Sequence, residues 1–189
     1  HGQNAFLSVA LLGWGLILVP RRPWLAGVLL GALVYKPQLG LLLPIALAAA
    51  GHWRAFLAAA LTVLALAGLT YGLWGTEVWS AFFTQTAFAR QMLEEGLVPW
   101  HKMISVFAAA RMRGAPVGLA WALPALGGLV AATLVWCLWR GPAPWAIKIA
   151  MLPVATLVAA PLALDYDSAL LAITLTAFVT DGLRRGFLD

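Results

Sequence analysis

The sequence predicts an all-α fold: a polytopic transmembrane helical bundle of about seven apolar segments with a small helical cap on its outer face. Three observations carry this. Of the 189 residues, 63% are hydrophobic and only 10% charged. The apolar residues come in runs divided by Gly, Pro and isolated charges. The charges themselves alternate between loops in the way membrane topology requires. A net charge of +5 in a water-soluble chain would suggest nucleic acid. Here twelve Lys and Arg spread among apolar segments serve orientation, and no nucleic-acid partner is expected.

The segments are Ala5–Val19, Trp24–Tyr35, Leu39–Ala50, Ala55–Trp74, Leu119–Trp139, Ala146–Leu162 and Ala169–Thr180. The fourth and fifth have the ~20 residues that a hydrocarbon core of ~30 Å demands. The second and third are short, so one kinked helix from Trp24 to Ala50 is an alternative, broken at Lys36-Pro37. Charge decides between them. With separate segments, one side's short loops carry Arg21, Arg22, Arg54, Arg140, Lys148, Arg184 and Arg185, and the other side's only Lys36. With a kinked helix the bias falls to two against five. The positive-inside rule therefore favours separate segments.

The inner face is then basic, and the outer face holds Glu77, Glu94, Glu95, Asp165 and Asp167. Trp24, Trp53, Trp139 and Trp145 line the inner interface, and Trp74, Trp79, Trp100 and Trp121 the outer, as aromatic belts. Cys137 sits in an apolar run and is read as packing. Gly27 and Gly31 have the spacing of a close helix contact. The chain opens at His1 with a motif in progress and no signal-peptide pattern. Residues 1–189 are accordingly read as a single transmembrane domain, a piece of a longer chain.

Residues 75–118 form the one long outer loop. Thr76-Glu77 has the chemistry of an N-cap with an acid in the first turn, opening an interfacial helix marked by Val78, Trp79, Phe82, Phe83, Met92 and Leu93. Pro99 breaks the chain, and Met103–Arg113 is expected as a second short helix.

Four polar clusters interrupt the apolar background, and this threading brings all four out on the outer side: His1-Gly2-Gln3-Asn4, Lys36-Pro37-Gln38, Pro99-Trp100-His101-Lys102 and Asp165-Tyr166-Asp167. Polar groups at membrane depth mark function by default. Lys36, in a tight connection, needs an anion: a phosphate, or Asp165 or Asp167. Gln38 opens the next helix, whose N-terminus favours an anion. His101 offers a titratable imidazole beside the Lys102 cation, while Trp100 serves either as an interface anchor or in the site. Asp165 and Asp167 are expected to point the same way, to grip hydroxyls, a cation or Lys36. Gln3 and Asn4 serve either as a helix cap or as hydrogen-bonding groups of the site.

The order Gly2-Gln3-Asn4, Tyr35-Lys36-Pro37-Gln38-Leu39-Gly40-Leu41-Leu42, Pro99-Trp100-His101-Lys102-Met103 with Ser105-Val106-Phe107, then Asp165-Tyr166-Asp167 resembles glycosyltransferase family 87. Such proteins are similar to the polyprenyl-phosphate-mannose-dependent mannosyltransferases of bacterial lipoglycan synthesis. The resemblance implies a multi-spanning GT-C enzyme of the bacterial plasma (inner) membrane. It would pass a hexose, mannose in those relatives, from a polyprenyl-phosphate-linked sugar to a lipid or glycan acceptor on the outer face. Lys36, His101 and Lys102 would hold the donor phosphate. Asp165, Tyr166 and Asp167 would orient sugar or acceptor, with Gln3, Asn4, Gln38 and Trp100 beside them. No cofactor or metal is called for, since lysine cations can offset the leaving phosphate's charge. GT-C enzymes carry their aspartate base in the first outer loop, a region upstream of His1, so no catalytic residue is assigned and the fragment alone is expected to be inactive. The rival reading is a transporter or lipid flippase using Lys36 and the aspartates as an intramembrane ion pair.

Overall fold

A computed structural model of the chain describes residues 4–186. Its regular elements are helices. The helices are α1 (Ala5–Leu18), α2 (Pro23–Gly31), α3 (Pro37–Gly40), α4 (Leu43–Ala49), α5 (Trp53–Glu94), α6 (Val106–Met112), α7 (Val117–Arg140), α8 (Trp145–Ala159) and α9 (Leu171–Arg185). Three 3₁₀ turns join them, at Ala32–Tyr35, Trp100–Lys102 and Asp165–Leu170. The only pairing of extended backbone among the described residues is a single bridge between Met103 and Leu164.

Prolines set several starts. Pro23 and Pro37 open α2 and α3, where a missing N–H leaves no helical bond unmade. Lys36, immediately before Pro37, is pushed out of helical geometry to φ −130°, ψ 73°. The chain therefore breaks between the second and third apolar segments, a break that the separate-segment and kinked-helix readings share.

α5 is two arms. At Gly75 the backbone adopts φ 69°, ψ −163° and the helix turns a corner. That region is open essentially to Gly alone. The expected outer helix therefore starts at this point, but by backbone geometry. Among the described residues Thr76 makes no side-chain capping bond. The second outer helix begins at Val106, later than expected, with Ser105 Oγ accepting the Ala108 N–H at 3.2 Å. Met103 and Ile104 are instead extended: the Ile104 N–H donates to Ala163 O at 3.0 Å.

The core gathers Leu12 and Leu16 from α1, Leu30 from α2, Leu47 from α4, Val135 and Trp139 from α7 and Leu152 from α8. The first arm of α5 meets α2 so closely that a Cβ on Gly27 would strike Ala55 O, and one on Gly31 would lie 2.6 Å from Ala59 O. The small-residue spacing is thus a helix crossing.

Trp53–Glu94 and Val117–Arg140 are long and apolar enough to cross a membrane. Both turn apolar surface outward: Leu64 is 67% exposed and Leu129 65%. Contiguous exposed surface of this kind is untenable in water and natural in lipid. The other apolar helices have 10–17 residues, about 15–26 Å at 1.5 Å per residue.

Two expectations are corrected. Trp139 is buried in the core at 1% exposure, so it is no part of an aromatic belt facing lipid. Cys137 is exposed, because its place on α7 lies away from the face that packs on α8.

Candidate functional site

The break at Lys36 places an ammonium where α2 and α4, running to and from one end of the bundle, meet the turn after α8. Lys36 Nζ donates to Asp167 Oδ1 at 2.8 Å. The Lys36 side chain is 13% exposed and that of Asp167 2%. The other carboxylate oxygen, Oδ2, accepts the Leu164 N–H at 3.2 Å, so the carboxylate is held at both oxygens. The Tyr166 ring covers a flank of the ammonium, its centroid 4.7 Å from Nζ. A buried ion pair of this kind is worth little net, but removing one partner strands a charge.

The same end of α1 is tied in. Tyr35 Oη and Ser8 Oγ lie 2.8 Å apart, and Ser8 Oγ donates to Asn4 O at 3.3 Å. With that hydroxyl proton committed, Tyr35 is the donor of the pair. The start of α1, the Lys36 break and the Asp165–Leu170 turn therefore share one end of the molecule. The Met103–Leu164 bridge brings the Trp100–Lys102 turn beside them. Three of the four polar clusters thus converge, with Asn4 from the fourth; His1, Gly2 and Gln3 lie outside the described residues.

Convergence is not uniform contact. Asp165 is exposed, and its Oδ1 accepts the Tyr166 N–H at 2.8 Å. The two aspartates do not point the same way. In a 3₁₀ turn of three residues per revolution, positions two apart diverge by about 120°. One carboxylate turns inward to Lys36 and the other stays open. His101 and Lys102 are exposed and pair with no side chain among the described residues. Gln38 is half-buried, without a side-chain hydrogen bond among the described residues. The anion-attracting helix N-terminus expected at Gln38 is not there, since α3 is a single turn of four residues and carries almost no summed dipole. Asn4 precedes α1 and makes no side-chain cap.

Trp100 is engaged structurally. Its Nε1 donates to Leu93 O at 3.0 Å, and the Arg111 guanidinium lies 5.1 Å from its ring centroid. Arg111 in turn donates to Ala115 O at 2.8 Å and Glu94 O at 3.1 Å. Around Leu93, Phe107, Ala110 and Ala120 this makes a small second core. Glu94 locks it from outside. The Arg90 guanidinium at 2.7 Å, and then the Trp121 indole N–H at 2.7 Å, hold its carboxyl below the usual carboxylate range. A groove of about 460 Å³ opens alongside, lined by Met103, Ile104, Ser105, Ala109, Met112 and Arg113.

At the opposite end the basic residues gather. Trp145 Nε1 donates to Leu16 O at 3.2 Å, and Lys148 Nζ caps α7 by donating to Trp139 O and Gly141 O, both at 2.9 Å. The bundle is polar at two ends of different character.

The family model for Glycosyltransferase family 87 matches residues 1–164. The chain belongs to glycosyltransferase family 87. No curated protein and no solved structure matches it. The family implies a membrane glycosyltransferase, with a sugar donor and an acceptor, and the outward apolar helices agree. The family-87 match stops one residue before Asp165, so Lys36 and its loop lie inside the matched stretch, whereas Asp167, its partner, lies just beyond it.

Ser8 and Leu164 were missed in the sequence as parts of this arrangement. A lone hydroxyl within the apolar run Ala5–Val19 was a signal for Ser8. The Leu164 N–H carried none, because a backbone donor shows only once the turn is folded.

Proposed function

We infer that this family-87 protein is a multi-spanning GT-C-type glycosyltransferase of the bacterial inner membrane, with its site on the outer face. It moves a hexose, mannose in the relatives the chain resembles, from a polyprenyl-phosphate-linked donor to a lipid or glycan acceptor. The observation that carries this reading is the gathering of Lys36, Tyr166, Asp167 and the Trp100–Lys102 turn at one end of the bundle, opposite the basic end. Lys36 is a point charge for the donor phosphate, and Lys102 and His101 are exposed cations or donors beside it. Asp165, exposed and with only its Oδ1 bonded among the described residues, is suited to accept from a sugar or acceptor hydroxyl. Residues 75–118 form the outer cap, and the apolar face of residues 76–94 lies on the leaflet surface. No residue described here is assigned as the catalytic base.

The buried Lys36–Asp167 pair is also what a transporter's charge relay would use. One assay separates the two. Membranes holding the full-length protein are given radiolabelled polyprenyl-phosphate-mannose and a lipid extract, with Lys36→Ala and Asp165→Ala alongside. Label should pass to a new lipid product and be lost in Lys36→Ala at equal expression, with Asp165→Ala reduced at least tenfold. Solute flux without transfer from any lipid-phosphate sugar would replace the transferase with the transporter.

A further inference from the structure

We propose that Asp167 is a positioning residue that tempers the charge preference of the Lys36 site, lowering its affinity for a doubly charged phosphomonoester more than for a singly charged phosphodiester. The inference rests on the reading of Lys36 as the donor-phosphate group.

Three observations lead to it. Asp167 Oδ1 stands 2.8 Å from Lys36 Nζ, and the Asp167 side chain is 2% exposed. Its second oxygen accepts the Leu164 N–H, so the carboxylate cannot swing away when an anion arrives. Tyr166 closes another flank of the ammonium at 4.7 Å. An incoming phosphate must approach Lys36 from its remaining 13% of exposed surface. At ordinary ion-pair distances its oxygens then sit within about 6 Å of the aspartate.

The site is thus a neutral pair rather than a bare cation, and each negative charge on the ligand feels both members. A phosphodiester carries one charge. A phosphomonoester carries close to two above its second pKa of about 6. The second charge gains less from the ammonium, because it meets the carboxylate's repulsion as well. Across this distance, with solvent screening, the carboxylate lowers monoester affinity relative to diester affinity by about tenfold.

Glycosyl transfer performs this conversion. The bond from the sugar's anomeric carbon to the phosphate oxygen breaks and leaves its electron pair on the phosphate. The anomeric carbon bonds to the acceptor oxygen, and the acceptor's proton is released. A diester donor becomes a monoester product. Asp167 consequently admits the donor and hastens departure of the spent lipid phosphate.

The test uses the full-length protein in nanodiscs at about pH 8, with farnesyl monophosphate and its methyl phosphodiester as probes that differ by one charge. The ratio of monoester to diester affinity is measured in wild type and in Asp167 variants. Asp167→Asn, which removes the charge and keeps one oxygen for either Leu164 or Lys36, should raise that ratio about tenfold by strengthening monoester binding most. An unchanged ratio in Asp167→Asn overturns the proposal. So does an unchanged ratio in Asp167→Ser, the second uncharged variant, which carries the test if Asp167→Asn does not fold. Lys36→Met discriminates the premise: loss of both ligands upholds the phosphate site, and retention of both removes it and the proposal together.

Discussion

Lys36 and Asp167 are 131 positions apart in the chain. Either charge alone in this apolar bundle would be stranded, at a penalty of about 3–5 kcal/mol. The lysine's need for an anion was legible from its surroundings. Which of two aspartates would answer was not, because that depends on the 3₁₀ register of Asp165–Leu170, which turns Asp167 inward. At the other end, His52 stands before α5 with its ring edge-on to Trp145, the centroids 5.3 Å apart. Burial, and then the nearby Lys148 charge, lower its pKa from 6.5. A base depressed in this way binds fewer protons folded than unfolded, so stability is full above pH about 6.5 and declines as pH falls through it. Thermal stability in detergent is therefore expected to drop between pH 7.5 and 5.5, and the drop to shrink in His52→Gln. An undiminished drop in that variant would assign the effect to another group. The lowered carboxyl of Glu94 acts in a separate window, because its contribution disappears only as pH falls below the carboxylate range.

Among elements, the crossing of α2 on α5 is the most sharply specified. Leu at Gly31 would have to fit where a Cβ already lies 2.6 Å from Ala59 O, which is backbone and cannot yield cheaply. Gly31→Leu is expected to lower stability by about 1–3 kcal/mol. Gly68, on the same arm of α5 with open space around it, is the control. Gly68→Leu should be neutral or slightly stabilising, since Leu exceeds Gly in helix propensity by roughly 0.8 kcal/mol. Unfolding in detergent compares the two, and equal losses would show that helix-interior glycines matter here for another reason. The kink at Gly75 is equally specific. Without it the 42 residues of α5 would form a rod of ~63 Å, with no cap to sit beside the bundle.

For the whole molecule the open quantity is sidedness, and the charge pattern predicts it. In a Cys137→Ser background, Gln85→Cys on the cap and Arg184→Cys near the end of α9 should label from opposite sides. In intact cells an impermeant thiol reagent is expected to reach Gln85→Cys alone, with Arg184→Cys reacting only after permeabilisation. Labelling of both from one side would break the alternation on which the seven-segment threading rests.

Helical class, the chain break at Lys36-Pro37, the close glycine contact and the convergence of three polar clusters were all determined by the sequence itself. These follow from local quantities: apolar run length, proline geometry, glycine spacing and the order of charges. The tertiary structure alone decided that Lys36 pairs with Asp167 rather than Asp165, that Trp139 is packed inside and Trp100 bonded against a second small core, and that Met103 and Ile104 are extended against Ala163 and Leu164. Each of those outcomes depends on which face of a turn meets a segment tens of residues away. In an apolar chain, hydrophobicity no longer distinguishes inside from outside, so only the packing itself selects the face.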